Sequence, residues 1–351
     1  MNLRALLSEA RALGRLPEIL AERCVHAAVE VASCRRCVSA CPRDAWVLDD
    51  EQLAIDTAAC DGCGLCAAAC PEGALQHDAW PLLRRWGGQT VALAACAREV
   101  ADHSAAVLPC VHALGLAALA RLYGTGVRRL LVCTADCGPC DRGKGERLAD
   151  RVSLLSQVLT RRGLPPLQLK PVAVEQWQGM LAQGEASDSG TGVSRRSFLR
   201  GMFTMATRAD ADASLPPGMP TWRPPGEHLP LSMGEPATLH APRIDGERCN
   251  GCDACLRVCP HGVLSLSSDG DAYLVQPDAC TGCGLCVDVC DQAAVTVLDG
   301  AAPGSSRLAL QRGRCRACGA AYHRPDTHTS APPLCHVCHQ ADRRGRLFQV
   351  L

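Results

Sequence analysis

Twenty-five of the 351 residues are cysteine, and their spacing repeats. Cys60, Cys63, Cys66 and Cys70 are followed by Pro71. Cys249, Cys252, Cys255 and Cys259 keep the same intervals and are followed by Pro260. Cys280, Cys283, Cys286 and Cys290 keep them again, with Asp291 in the proline's place. The intervening text also agrees, ACDGCGLCAAAC in one copy and ACTGCGLCVDVC in another. Three thiolates at this spacing wrap three corners of a compact inorganic body, while the fourth points away and ligates a neighbouring one. The chemistry predicted is thiolate ligation of paired 4Fe–4S clusters.

In the carboxy-terminal pair the ligand sets read directly as Cys249, Cys252, Cys255 with Cys290, and Cys280, Cys283, Cys286 with Cys259. Gly62, Gly64, Gly282 and Gly284 let the backbone approach the inorganic sulfurs. The amino-terminal pair departs in one place. Its first motif, Cys34, Cys37 and Cys41 before Pro42, has Val31 where a leading cysteine would stand, and Cys24 lies ten residues ahead of Cys34. The sets are then Cys24, Cys34, Cys37 with Cys70, and Cys60, Cys63, Cys66 with Cys41. The alternative is that Cys24 is no ligand, which leaves a three-iron or labile cluster. Both pairs resemble bacterial two-cluster ferredoxins over residues 24–78 and 243–299. The resemblance implies a ferredoxin fold and four [4Fe–4S] clusters passing single electrons.

Two further cysteine groups follow other rules. Cys315 and Cys318 with Cys335 and Cys338 form two Cys-x2-Cys pairs, the spacing of a four-thiolate zinc ribbon. A rubredoxin-like iron is the alternative. Arginines around these pairs leave weak nucleic-acid binding open, but no aromatics are interleaved for base stacking. In the middle of the chain stand Cys96, Cys110, Cys133, Cys137 and Cys140. The run LLVCTADCGPCDRGKGERLADRVSLLSQVLTRRG, preceded by LPC, resembles the delta subunit of methyl-viologen-reducing hydrogenase. That resemblance implies a 2Fe–2S cluster on Cys96, Cys110, Cys137 and Cys140, and a relay to a hydrogenase or formate dehydrogenase. The alternatives are a dithiol at Cys137 and Cys140, or idle thiols on a docking surface.

The elements that must position these residues are legible in outline. Residues 1–23 carry Leu3, Leu6, Leu7, Ala10 and Leu13 at helical spacing. Residues 24–80 form the first ferredoxin module. Within 81–183, the runs 89–95, 105–109 and 128–133 read as buried strands, and 112–123 and 145–162 as helices, which argues for a small α/β domain with a parallel sheet. Three of its cysteines fall at or beyond strand ends, where parallel sheets place ligand sites. Residues 184–240 have linker composition, 241–300 form the second ferredoxin module, and 301–351 the zinc ribbon. The fold class expected is α+β multidomain, with two ferredoxin-like modules flanking the α/β domain.

Composition sets the limits. Net charge is +0 and aromatics are only 3 %, so the chain has neither an electrostatic funnel for nucleic acid nor many rings to fill a core. Metal–thiolate bonds supply folding free energy in their place. The cysteine count is odd and residues 1–23 have no apolar signal core, so a reducing cytoplasm is expected rather than a disulfide framework. No run is long enough to span a membrane. SRRSFLR at 194–200 matches a twin-arginine export signature, but the polar text after it does not suit export. With Thr221 to Pro225 and the cysteine motifs beyond, it resembles the NapF-type ferredoxin accessory proteins of periplasmic nitrate reductase, which implies association with a molybdenum enzyme or its maturation. No phosphate-binding glycine fingerprint or nucleophile triad is present. The function expected is an electron-transfer subunit of a molybdenum-containing or hydrogenase-type oxidoreductase, with a maturation factor as the alternative.

Overall fold

The structure, a computed structural model, describes residues 16–48, 53–77, 79–86, 88–100, 106–142, 147–183, 185–186, 222–231, 237–300, 306–327 and 334–343. The SRRSFLR motif and residues 1–15 of the expected first helix lie outside them. Residues 16–23, read as that helix's end, instead give strand β1 (Glu18–Ile19) and a 3-10 turn (Ala21–Arg23). Pro17 explains the change, because its ring denies a helix one N–H and crowds the preceding turn.

The first ferredoxin module is built of short pieces. Helices α1 (Val25–Ala28), α2 (Arg36–Ala40) and α3 (Leu65–Ala69) carry cysteines on or beside them. Strands β2 (Trp46–Leu48) and β3 (Leu53–Ile55) form one antiparallel ribbon, and β1 pairs with β4 (Leu75–Gln76) in another. Its core is small, with Ala45, Trp46 and Leu75 packed against Cys41 and Cys66.

The middle domain supplies the large core. Strands β5 (Leu82–Trp86), β6 (Gln89–Cys96), β7 (Val107–Leu108), β8 (Arg129–Cys133), β9 (Gln168–Pro171) and β10 (Glu185–Ala186) form one mixed sheet. β6, β7 and β8 run parallel as expected and β9 runs parallel beside β8, but β5 is antiparallel to β6 and β10 to β5. The expectation of a parallel sheet is corrected to that extent. A hairpin turn containing Gly88 (φ +77°) folds β5 back on β6, and only glycine adopts that backbone readily. Alternation along β6 sends Ala92 and Ala94 to one face, under α4 (Leu116–Gly124) and α5 (Leu148–Arg161), and Leu93 and Ala95 to the other, with Trp177 of α6 (Val174–Gln183).

The second ferredoxin module repeats the first. β11 (His240–Ile244) pairs with β14 (Val295–Asp299), and β12 (Leu264–Leu266) with β13 (Ala272–Val275). Helices α7 (Ala254–Val258) and α8 (Leu285–Asp288) stand where α2 and α3 stand in the first. The tail joins this module directly: β15 (Arg307–Arg314) pairs with β13 on one side and β16 (Ala321–Pro325) on the other, and α9 (His336–Arg343) follows. The stretch read as linker has packed parts. Leu229, Ala237 and Leu239 are buried in the middle domain's core, where their apolar surface leaves water.

Candidate metal centres

Three of the four repeats build the same thiol-bearing loop. Gly64 (φ +76°) and Gly284 (φ +90°) adopt left-handed backbone just ahead of α3 and α8, so that the loop turns sharply around its thiols. Backbone N–H groups point at the sulfurs: His26 toward Cys24, Val38 toward Cys37, Gly62 toward Cys60, Gly251 toward Cys249 and Gly282 toward Cys280. Such donors favour negative charge on sulfur.

The crossing cysteines share a second device, invisible in their spacing. Three residues beyond Cys41, Cys70, Cys259 and Cys290 stand Asp44, Gly73, Gly262 and Ala293, all at φ between +46° and +61°. The left-handed residue swings the next N–H back to the sulfur. Ala45 N–H donates to Cys41 Sγ at 3.4 Å and Ala294 N–H to Cys290 Sγ at 3.2 Å, and Ala74 N–H approaches Cys70.

Three of the four sets read from the sequence each line a common cavity. One cavity is lined by Cys24, Cys34, Cys37 and Cys70 together. A second is lined by Cys259, Cys280, Cys283 and Cys286, and a third by Cys249, Cys252, Cys255 and Cys290. Cys60 lies in the field of Cys41, and Cys66 in the fields of Cys63 and Cys60. Burial pushes the thiols of Cys37, Cys63, Cys66, Cys255 and Cys283 up to about 12 and those of Cys249 and Cys280 to about 11. These sites are cages of largely buried sulfur; at one of them the Arg142 guanidinium acts on Cys63. A cationic iron–sulfur core bound there would supply counter-charge and favour the thiolates.

The tail quartet differs. Cys315, Cys318, Cys335 and Cys338 have sulfurs within 4.8 Å of one another, the one such group among the described residues. Cys318 and Cys335 sulfurs lie 3.8 Å apart. Zn–S bonds of about 2.3 Å in a tetrahedron place sulfurs about 3.8 Å apart, so the quartet fits a single ion. Among the described residues no ferredoxin set closes to that distance. N–H groups of Cys335, Cys318 and Ala317 hold the Cys315 thiol down to about 6, while its three neighbours push Cys338 up to about 12.

In the middle domain Cys96 ends β6, and Cys110 follows β7. Cys110 feels Cys96 and Cys137, and Cys137 feels Cys96 and Cys140. Cys133 packs with Trp177 on the opposite face of the sheet, which the strand alternation dictates. The remaining four adjoin but do not close into a tight group like the tail's.

The sites adjoin one another across the modules. Cys63 and Leu65 pack against Cys110. Beside them Arg142 donates to Asp61 at 2.8 Å and to the Pro109 carbonyl at 2.7 Å. On the other side, Cys34 and Cys283 border one apolar cluster of Val25, Ala32 and Leu285. Glu72, only 5 % exposed, pairs there with His261 Nε2 at 2.7 Å and accepts from the Thr281 hydroxyl. Ser33 donates to Asp288 from its backbone (2.9 Å) and hydroxyl (2.7 Å), and Arg36 donates to the Gly282 carbonyl at 2.8 Å. At the far end Asp253 (φ +64°), at the position that Gly64 and Gly284 hold in two of the other loops, accepts from Tyr273 OH at 2.5 Å and pairs with His323 of β16 at 2.8 Å. Sequence reasoning missed Glu72, Asp253 and the left-handed residues. A proline-glycine pattern around Cys70 and Cys259 hints at the last of these.

Residues 241–291 and residues 32–75 each match a family described as the 4Fe-4S dicluster domain. The second match begins after Cys24, so that residue rests on the cavity it lines. No curated protein matches the chain. Among the described residues no helix is long and apolar enough to cross a membrane. The repeated thiol cages and the two matches agree: this chain is a ferredoxin-like iron–sulfur electron-transfer protein built around two 4Fe–4S dicluster domains.

Proposed function

We propose that the chain is a cytoplasmic electron-transfer subunit with four [4Fe–4S] sites in single file, relaying single electrons to or from a larger oxidoreductase of molybdenum or hydrogenase/formate dehydrogenase type. The observation that carries this reading is the seam between the modules, where the loops of Cys34 and Cys283 meet across one apolar cluster. The order along the file is then Cys41/Cys60/Cys63/Cys66, Cys24/Cys34/Cys37/Cys70, Cys259/Cys280/Cys283/Cys286 and Cys249/Cys252/Cys255/Cys290. Bound there, each cluster exchanges one electron at a potential that hydrogen bonds to sulfur and solvent exposure set.

The chain's own residues hold the file together and keep it dry. Glu72, Arg36 and Ser33 clamp the two inner loops, while Arg142 clamps the first module to the middle domain. Cys96, Cys110, Cys137 and Cys140 hold a 2Fe–2S cluster at one end, beside Cys63. The tail quartet holds structural zinc at the other, bracing the second module through its shared sheet.

Anaerobic affinity capture of the protein from its own cells, with metals quantified, tests the proposal. The expected eluate contains about eighteen irons per chain, sixteen in four cubanes and two in the 2Fe–2S cluster, with one zinc and a stoichiometric molybdenum or hydrogenase-type enzyme. Cluster-loaded protein that elutes alone and donates its iron to an apo-molybdenum enzyme would replace the relay with a maturation factor.

A further inference from the structure

A roomy cavity lies beside the file rather than on it. It measures about 630 Å³ and is walled by both ferredoxin modules, the middle domain and the Trp222–His228 segment. Cavities of roughly 300–1,000 Å³ hold cofactor-sized ligands. Its charge is one-sided. Five arginines line it, Arg23, Arg36, Arg121, Arg151 and Arg223, against a single carboxylate, Asp299, which already pairs with His240 at 2.7 Å.

Two of the arginines are held in place by rings. Arg23 sits 4.7 Å from the centroid of Trp222, and Arg121 the same distance from that of Trp80. Stacking of this kind fixes the guanidinium plane and leaves its N–H edge to take an acceptor. Among the described residues no carboxylate pairs with Arg23, Arg121 or Arg223. Planar guanidinium forks match phosphate oxygens two at a time. The floor between them is apolar and low, made by Ala67 and Ala68 of α3 and Ala117 and Ala118 of α4. Short side chains there leave room for a flat ring.

We propose that this cavity binds a mononucleotide, a phosphate monoester joined to a planar heterocycle, with the phosphate on the arginines and the ring on the alanine floor. Two sources share that chemistry, a flavin mononucleotide and an adenine mononucleotide. Cys70 and Pro71 line both this cavity and the Cys24/Cys34/Cys37/Cys70 site, so a flavin bound here lies one residue's thickness from the electron file. An adenine mononucleotide in the same place makes the cavity an allosteric site at the junction of the modules.

Equilibrium dialysis of the full-length, cluster-loaded protein against FMN, AMP and inorganic phosphate tests this. One saturable site per chain for FMN or AMP is expected, at least tenfold tighter than for phosphate alone, and whichever nucleotide binds identifies the source. Arg121→Gln with Arg223→Gln should weaken binding at least tenfold while the iron–sulfur absorbance stays intact. Ala118→Trp, which plugs the floor from a half-exposed position, should abolish binding and serves should the arginine pair disturb folding. Absence of a saturable site for either nucleotide, or binding unchanged in both the Arg121/Arg223 and the Ala118 variants, would overturn the proposal.

Discussion

At the scale of single residues, spacing carries most of the information about sulfur and little about the backbone that aims it. The cysteine sets were legible because a cubane demands three thiolates on one loop and a fourth from elsewhere. Cys24 was legible only as the nearest thiol ahead of a gap, and the cavity it lines with Cys34, Cys37 and Cys70 gives it a place. Cys24→Ser should therefore lower iron by about four per chain, one cubane, read by iron analysis of anaerobically purified protein; unchanged iron content would remove Cys24 from the set. The left-handed residue after each crossing cysteine was not legible, because Asp44 and Ala293 carry no glycine signal. Left-handed backbone costs a residue with a Cβ roughly 1–2 kcal/mol. Ala293 at φ +46° bears that cost, so Ala293→Gly should stabilise the second module by about 1 kcal/mol. Chemical denaturation followed by cluster absorbance would show the gain.

At the scale of elements, β6, β7, β8, α4 and α5 of the middle domain emerged from apolar runs; β9, β10 and α6 did not, and neither did β5. Its sequence, Leu82-Leu83-Arg84-Arg85-Trp86, places two arginines on a strand whose partner hairpin decides its conformation. The linker reading misled for a related reason. Proline and glycine around Trp222 signal turns, yet the ring inserts where only a glycine permits it. A Cβ on Gly73 would stand 2.2 Å from Trp222 Nε1. Gly73→Ala combines that clash with a left-handed backbone and should cost about 2–4 kcal/mol. It should also expose Trp222, shifting tryptophan emission to the red. Wild-type emission and stability in this variant would mean that Trp222 is not anchored at Gly73.

At the scale of the whole molecule, the contacts that matter join residues far apart in sequence, and no local pattern announces them. Glu72 meets His261, 189 positions away, and Ser33 meets Asp288, 255 away. Arg162, buried at the end of α5, donates to the Ala237 carbonyl at 2.6 Å and to the Pro230 carbonyl at 3.2 Å, and pairs with Asp278 of the second module. One side chain thereby ties the middle domain to the chain ahead of β11 and to the neighbouring ferredoxin module. Hydrogen bonds from a charged group are each worth roughly 1.5–3 kcal/mol, so Arg162→Ala should loosen this docking by about 2–4 kcal/mol. Faster amide exchange in residues 237–244 and 278–280, with metal content unchanged, would register it.

The central claim is that the two dicluster domains form one electron path through the Glu72 seam. Electron paramagnetic resonance of the fully reduced, full-length protein tests it most directly. If the inner sites face each other, the spectrum contains spin–spin interaction between modules. Removal of the inner clusters one at a time (Cys34→Ser with Cys37→Ser; Cys283→Ser with Cys286→Ser) and together then breaks additivity: the spectra of the full-length protein and of the variant lacking both do not add up to those of the two variants lacking one each. Equality of those two sums would contradict the single file.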